Sequence, residues 1–212
     1  MPAPTLPPDL HAVVFDVGET LVDESRAWAD LARAAGTTPF TLMAAIGATI
    51  SQGRDHRDAW RLIGRTPPAA APDIRADDLY DDALACLAAV RHAGMVVGVA
   101  GNQPAGAEEA LRSAGVHVDF VATSTTWGVA KPSAAFFERV AAACRVPAHH
   151  VLYVGDRLDN DVRAARAAGM RTAWLRRGPW AHVQPRTAED HADLELSSLD
   201  VLARLVRDGG RR

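Results

Sequence analysis

The chain has 212 residues, 48% of them hydrophobic and 23% charged, and a formal net charge of −3. That length suits one core domain, or a core with a small insertion, and the composition is that of an ordinary globular protein with no basic surface to favour nucleic acid or anionic lipid. No apolar run reaches the ~18–20 residues needed to cross a bilayer. The proline-rich start, MPAPTLPPDL, reads as an extended lead-in without the basic-then-apolar order of a secretion signal. Cys86 and Cys144 sit in alanine- and leucine-rich helical patterns and read as buried, reduced thiols, so the expected location is cytoplasmic.

The first strong signal is His11 to Asp23, HAVVFDVGETLVD. Ala12-Val13-Val14-Phe15 is a buried-strand pattern that runs into Asp16 and a tight Val17-Gly18-Glu19-Thr20 turn. A carboxylate at the carboxyl end of such a strand stands where open α/β sheets keep their chemistry. It needs a partner there, because an isolated charge is costly to bury.

After Asp23 a helix is expected from Glu24, with Trp28, Leu31, Ala32 and Ala35 at helical spacing and Gly36 as its stop. Pro39 opens a second helical stretch through Met43, Ile46 and Ile50. The polar segment SQGRDHRDAW and the linker-like RTPPAAAPD follow. Residues 24–78 therefore read as a helical insertion with no strand.

From Asp78 the pattern becomes regular. LYDDALACLAAVRHAG is a helix, MVVGVAGN a strand ending at Gly101-Asn102, PAGAEEALRSAGV a helix and VDFVATS a third strand. SAAFFERVAAACRV is a helix with Ser133 as N-cap, HHVLYVGD the fourth strand, NDVRAARAAG a helix and MRTAWLRR the fifth strand. ADLEL is a short strand candidate and SLDVLARLV a last helix. Strands alternating with single helices imply an α/β fold built on a parallel sheet. Asp16, Asn102, Thr123 and Gly155-Asp156 then converge on one rim. The Arg176-Arg177 and Arg211-Arg212 pairs read as solvated ends of elements. No GxGxxG or P-loop pattern points to a dinucleotide or an NTP.

Four stretches in this order carry a resemblance: HAVVFDVGETLVD with Asp16 and Thr20, VVGVAGNQ with Asn102, GVAKPS with Lys131, and VLYVGDRLDND with Asp156 and Asp161. Together they resemble the haloacid dehalogenase-like hydrolase superfamily, from about His11 to the C-terminal ADLEL segment. The resemblance implies a Rossmann-like, three-layer αβα core over 1–23 and 79–212, with a small helical cap over 24–78. It implies that Asp16 is the nucleophile and a Mg²⁺ ligand. Asp156 is then a direct ligand, and Asp161 a ligand, an orienting group or the partner of Lys131. Lys131 neutralises the nucleophile and the transferring group, and Asn102 binds the phosphoryl oxygens along with Gly101, Lys131 and Thr20.

Plainer readings stand beside these. Asp16 could cap a helix, Asp161 could sit favourably at a helix start, and Lys131 could be a surface lysine. Yet Lys131 is the single lysine among 23 basic residues, which favours a specific role.

Two positions depart from the pattern. Gly101 replaces the hydroxyl residue before Asn102, leaving only a backbone N–H. Gly18 replaces the second aspartate of Asp-x-Asp, the acid and base of the family's phosphatases, although its carbonyl could still serve a metal. Positioned acid–base groups contribute ~10²–10⁴-fold. Either Glu19 substitutes, or Glu19 is a surface or turn residue and the site suits aryl or acyl phosphates with good leaving groups. Branches without that aspartate include metal-free 2-haloacid dehalogenases, which lack the Gly-Asp present here as Gly155-Asp156. They also include phosphonoacetaldehyde hydrolases, whose cap lysine is missing from 24–78.

The expected function is thus a Mg²⁺-dependent phosphohydrolase acting on a small phosphorylated metabolite. The alternatives are a metal-independent dehalogenase-type hydrolase and a catalytically weak binding or regulatory module. His56, in the insertion, is a candidate to reach the substrate. Trp127 and Trp180 are candidates for the cleft edge, with packing as their plainer role. A homodimer through the apolar residues of the insertion is left open.

Overall fold

The computed structural model describes residues 5–69, 73–188 and 190–209. The first four residues of the proline-rich lead, residues 70–72 of the linker and the Arg211-Arg212 pair lie outside the described residues. Six strands form one sheet: β1 Ala12–Phe15, β2 Val96–Gly101, β3 Phe120–Thr123, β4 Val151–Gly155, β5 Arg171–Leu175 and β6 Leu194–Leu196. Their order is β3-β2-β1-β4-β5-β6, and every pairing is parallel.

The four residues of β1 are fully buried, which explains why the strand reads as an unbroken apolar run. Their side chains alternate between two cores. Val13 and Phe15 enter a cluster with α4 (Ala83–His92) and α10 (Leu199–Gly209). Ala12 and Val14 enter one with α7 (Ala134–Cys144) and α8 (Ala164–Ala167). Helices thus cover both faces of the sheet, as the alternating pattern predicted. Both cysteines are buried and free. Among the described residues no helix is long and apolar enough to cross a membrane.

Three helices follow β1: α1 Ser25–Ala34, α2 Pro39–Ser51 and α3 Asp58–Leu62. Thr38 caps α2, its hydroxyl accepting from the Thr41 N–H at 3.1 Å, and Pro39 occupies the first turn, where no N–H is needed. These helices bury Ala32, Leu42, Ile46, Ile50 and Trp60 in a cluster of their own, which Trp180 joins from the core. The two connections to the core run side by side. Val22 bridges Leu79, and the Asp23 N–H donates to the Asp78 carbonyl at 2.8 Å.

Several details differ from the sequence reading. The stretch expected as an ordinary helix after β4 begins as a π-helix, Leu158–Arg163, and only then becomes α8. Two short helices were not expected: α6 Ser124–Trp127, after β3, and α9 Gly178–Val183, after β5. The remaining helix, α5 Ala107–Ser113, falls where predicted. Ser133 precedes α7 but its side chain makes no capping hydrogen bond. Arg177 is not a solvated end. Its guanidinium lies 3.9 Å from the Tyr80 ring centroid, pairs with Asp82 at 2.5 Å and donates to the Thr20 carbonyl at 3.0 Å.

Candidate active site

The chain turns from one half of the sheet to the other between β1 and β4, the switch point where open α/β sheets bind ligands. Asp16 leaves β1 and Asp156 leaves β4 at that point. With Asp161 they offer carboxylate oxygens within 4.8 Å of one another, all buried. The Lys131 ammonium lies between two of them, 2.7 Å from Asp16 Oδ1 and 2.6 Å from Asp161 Oδ1. Lys131 is itself buried, with its Nζ 5.5 Å from the Tyr153 ring centroid.

Each group has a visible support. Asp161 reaches Lys131 because the π-helix carries it back over Gly155, where a Cβ would run into its carboxylate. Its other oxygen accepts from the Arg157 N–H at 3.0 Å. Trp174 pins Asp156 through its carbonyl at 2.8 Å. Asn102 closes a double clasp on the backbone of Lys131, accepting from its N–H at 2.8 Å and donating to its carbonyl at 2.9 Å. The amide therefore orients the lysine loop, with one N–H left for a ligand. Gly101 is close to Asp16: a Cβ there would lie 2.5 Å from its Oδ1, so a hydroxyl residue would require Asp16 to move. Thr20 is fully buried beneath the turn, and the structure does not bring it to the cleft.

The charges do not balance within the cluster. Burial alone would strip the Lys131 proton, but Asp16 and Asp161 override it and hold the ammonium well above its usual range. Three carboxylates against one ammonium leave two negative charges. Burial, then the charges of Asp161 and Asp16, push Asp156 well above the usual carboxylate range. Burial likewise raises Asp161 to about 6, against the pull of Lys131. Asp156 Oδ2 is buried without a hydrogen-bond partner. An orphaned oxygen among three carboxylates that burial and mutual repulsion keep from ionising together fits a hard divalent cation.

Glu19 is neither a surface residue nor a free acid. It is 6% exposed, with left-handed backbone at φ 51°. Its carboxylate accepts from the Tyr80 hydroxyl at 2.7 Å and from the Glu24 N–H at 3.0 Å. Burial raises its pKa against those two bonds. It braces the turn into the insertion.

Glu24 is the functional candidate that sequence reasoning passed over, because it reads as the acidic start of α1. Its carboxylate lines the cleft with Asp16, Asn102 and Lys131 and occupies the space beside Gly18 that a side chain there would fill. Burial, then the charge of Glu19, raises its pKa to about 7. The available signal was the pairing of a glycine at 18 with a glutamate at the exit of the same turn.

Between sheet and insertion lies a cleft of about 770 Å³, a size that takes a small molecule. Trp28, Leu31, Arg54 and His56 line it from the insertion, and Arg157 and Trp180 from the core. His56 stands edge-on between Trp28 and Trp180, with ring centroids 5.7 and 5.4 Å away. Burial, then the charge of Arg157, lowers its pKa to about 4. Trp180 therefore both packs and borders the cleft. Trp127 packs on Phe120 and Phe136 instead. Asp159 pairs with Arg157 at 2.7 Å at the cleft wall.

A doubly wound parallel sheet with a lysine–carboxylate cluster at its switch point defines an α/β enzyme with its chemistry at the carboxyl edge. The chain belongs to the haloacid dehalogenase-like hydrolase family, whose model matches residues 10–169. A glyceraldehyde 3-phosphate phosphatase of Methanopyrus kandleri is 35% identical over 136 residues, 61% of this chain and 58% of that protein. A phosphoserine phosphatase of Thermus thermophilus is 34% identical over 124 residues, 57% of this chain and 48% of that protein. The chain thus matches about half the length of these curated relatives. Among solved structures, a dehalogenase superposes with a TM-score of 0.71 at 18% identity, covering 94% of this chain and 98% of that one. At that identity the likeness concerns the fold.

Proposed function

We propose that this hydrolase is a phosphohydrolase that passes the phosphoryl group of a small phosphorylated metabolite to Asp16 and then to water, with Mg²⁺ as its metal. The observation that carries the reading is the unbalanced cluster: Asp16, Asp156 and Asp161 around one ammonium, with an orphaned oxygen on Asp156. The curated relatives that are phosphatases support it.

In this reading Asp16 Oδ attacks phosphorus and accepts the group as a mixed anhydride. The Lys131 ammonium, already fixed, stabilises charge on the transferring oxygens without reorganisation. Asn102 holds the lysine loop and offers its remaining N–H to a phosphoryl oxygen, beside the backbone N–H of Gly101. Asp16, Asp156 and the Gly18 carbonyl would hold the cation, with Asp161 at their back restraining Lys131. Bound there, Mg²⁺ would offset the negative charge that otherwise repels an anionic substrate. Residues 24–78 act as a cap whose arginines suit a second anionic group on the substrate.

Turnover of an aryl phosphate and an acyl phosphate, with Mg²⁺ and with EDTA, tests this. The wild type is expected to turn over only with Mg²⁺, and Asp16→Asn to lose at least ~10³-fold. Release of halide from a 2-haloacid in EDTA would instead support the dehalogenase-type alternative. Cation binding with no turnover of either phosphate would favour the binding module.

A further inference from the structure

The missing side chain at Gly18 leaves room that another carboxylate fills. A Cβ built on Gly18 would lie 2.6 Å from Glu24 Cδ and 3.0 Å from Glu24 Oε2. As Glu24 is placed, a side chain at 18 would have to displace its carboxylate. Resting on the phosphohydrolase reading above, we propose that Glu24 is the acid–base residue of this site, delivering from the start of α1 the carboxyl group that position 18 lacks.

Three observations separate this from a structural glutamate. Glu24 stands at the N-cap position of α1, yet its side chain makes no capping hydrogen bond. It turns into the cleft that also holds Asp16, Gly18, Asn102 and Lys131. Its direction is fixed there. Oε2 accepts from Trp28 Nε1 at 3.2 Å. The backbone N–H is tied to Glu19 at 3.0 Å. Among the described residues no ion pair engages its carboxylate, so it remains open to exchange a proton with a ligand. Glu19, the neighbouring alternative, spends both its oxygens on Tyr80 and Glu24.

The chemistry balances with the groups present. In the first step the Asp16 oxygen bonds to phosphorus as the bond to the leaving oxygen breaks. The Glu24 carboxyl gives that oxygen its proton, and an alcohol departs. In the second step the Glu24 carboxylate takes a proton from water as the water oxygen bonds to phosphorus. The Asp16–phosphorus bond breaks, and Glu24 is again the acid as inorganic phosphate forms.

The test uses the full chain with Mg²⁺ and two substrates, an alkyl phosphate and a nitroaryl phosphate, in wild type and in the Glu24→Gln, Gly18→Asp, Gly18→Asp/Glu24→Ala and Asp16→Asn variants. Glu24→Gln is expected to lose ~10²–10³-fold in kcat on the alkyl phosphate, whose poor leaving group needs the proton. On the nitroaryl phosphate it should release a stoichiometric burst of nitrophenol and then stall, because the phosphorylated Asp16 lacks its base. A residue that merely shapes the turn would lower both substrates alike and give no burst. Gly18→Asp alone should be impaired by its collision with Glu24. The double variant, with the carboxylate relocated, should recover alkyl phosphate turnover to within about tenfold of wild type. Equal losses on both substrates without a burst, or full alkyl activity in Glu24→Gln, would overturn the assignment. If Asp16→Asn turns over the nitroaryl phosphate as well as wild type does, the phosphohydrolase reading itself fails, whatever Glu24 does.

Discussion

Lys131 shows how little tolerance this site has at the level of single residues. Its ammonium is buried between two carboxylates, 2.7 and 2.6 Å away. Removing one partner of a buried pair costs more than the pair contributes, because the remaining charge stays buried. Lys131→Met is therefore expected to lower unfolding free energy by about 3–5 kcal/mol in metal-free buffer, read from the denaturant midpoint, and to abolish turnover. A midpoint unchanged from wild type would mean that Asp16 and Asp161 shed their charge at no cost. The identity of Lys131 could be read early, since a chain with 23 basic residues and a single lysine marks that position. The role of Asn102 was less legible. The Gly-Asn pair after a strand points to the rim, but the clasp on the Lys131 backbone depends on a loop 29 residues away.

Among the elements, the strands and the larger helices were readable because burial on both faces writes continuous apolar runs, and amphipathic faces write helical spacing. The π-helix over Leu158–Arg163 was not, since hydrogen bonding there is set by bringing Asp161 back over Gly155 rather than by local propensity. The nearness of Glu24 to Gly18 was hidden for a similar reason. It arises from the turn that bridges Gly18 to Val22, and periodicity does not report such a turn. In the insertion, His56 sits between Trp28 and Trp180 with its pKa lowered to about 4. The unfolded chain binds that proton near pH 6.5, so the folded state is favoured above that value. The stability is lost progressively as pH falls from about 6.5 toward about 4. The contribution is at most about 3 kcal/mol. His56→Phe, which keeps a ring between the two tryptophans, should flatten this acid limb of the melting-temperature profile. An identical limb in the variant would place the sensitivity elsewhere.

For the whole molecule, Trp180 is a tie between the insertion and the sheet domain. Trp180 enters the hydrophobic cluster of α1–α3 from α9 and is 6% exposed, while the paired connections at Val22–Leu79 and Asp23–Asp78 form the other attachment. Truncating a buried tryptophan costs about 3–5 kcal/mol. Trp180→Ala should thus raise amide hydrogen exchange across 25–62 while β1, β2 and β4 stay protected. Equal loosening of insertion and sheet would show that they open as one unit. The same arrangement places the cleft between the rim that carries the lysine–carboxylate cluster and a separately packed set of helices lined by Trp28, Arg54 and His56.

In the proposed function Asp16 takes the transferred group. The most direct measurement is acid-quenched mass spectrometry of the peptide containing Asp16, during turnover of an acyl or aryl phosphate with Mg²⁺. A phosphoryl adduct on Asp16 is expected to form within the first turnover, to disappear as substrate is consumed, and to be absent in EDTA and in Asp16→Asn. Sustained phosphate release with no adduct, and with Asp16→Asn as active as the wild type, would contradict it.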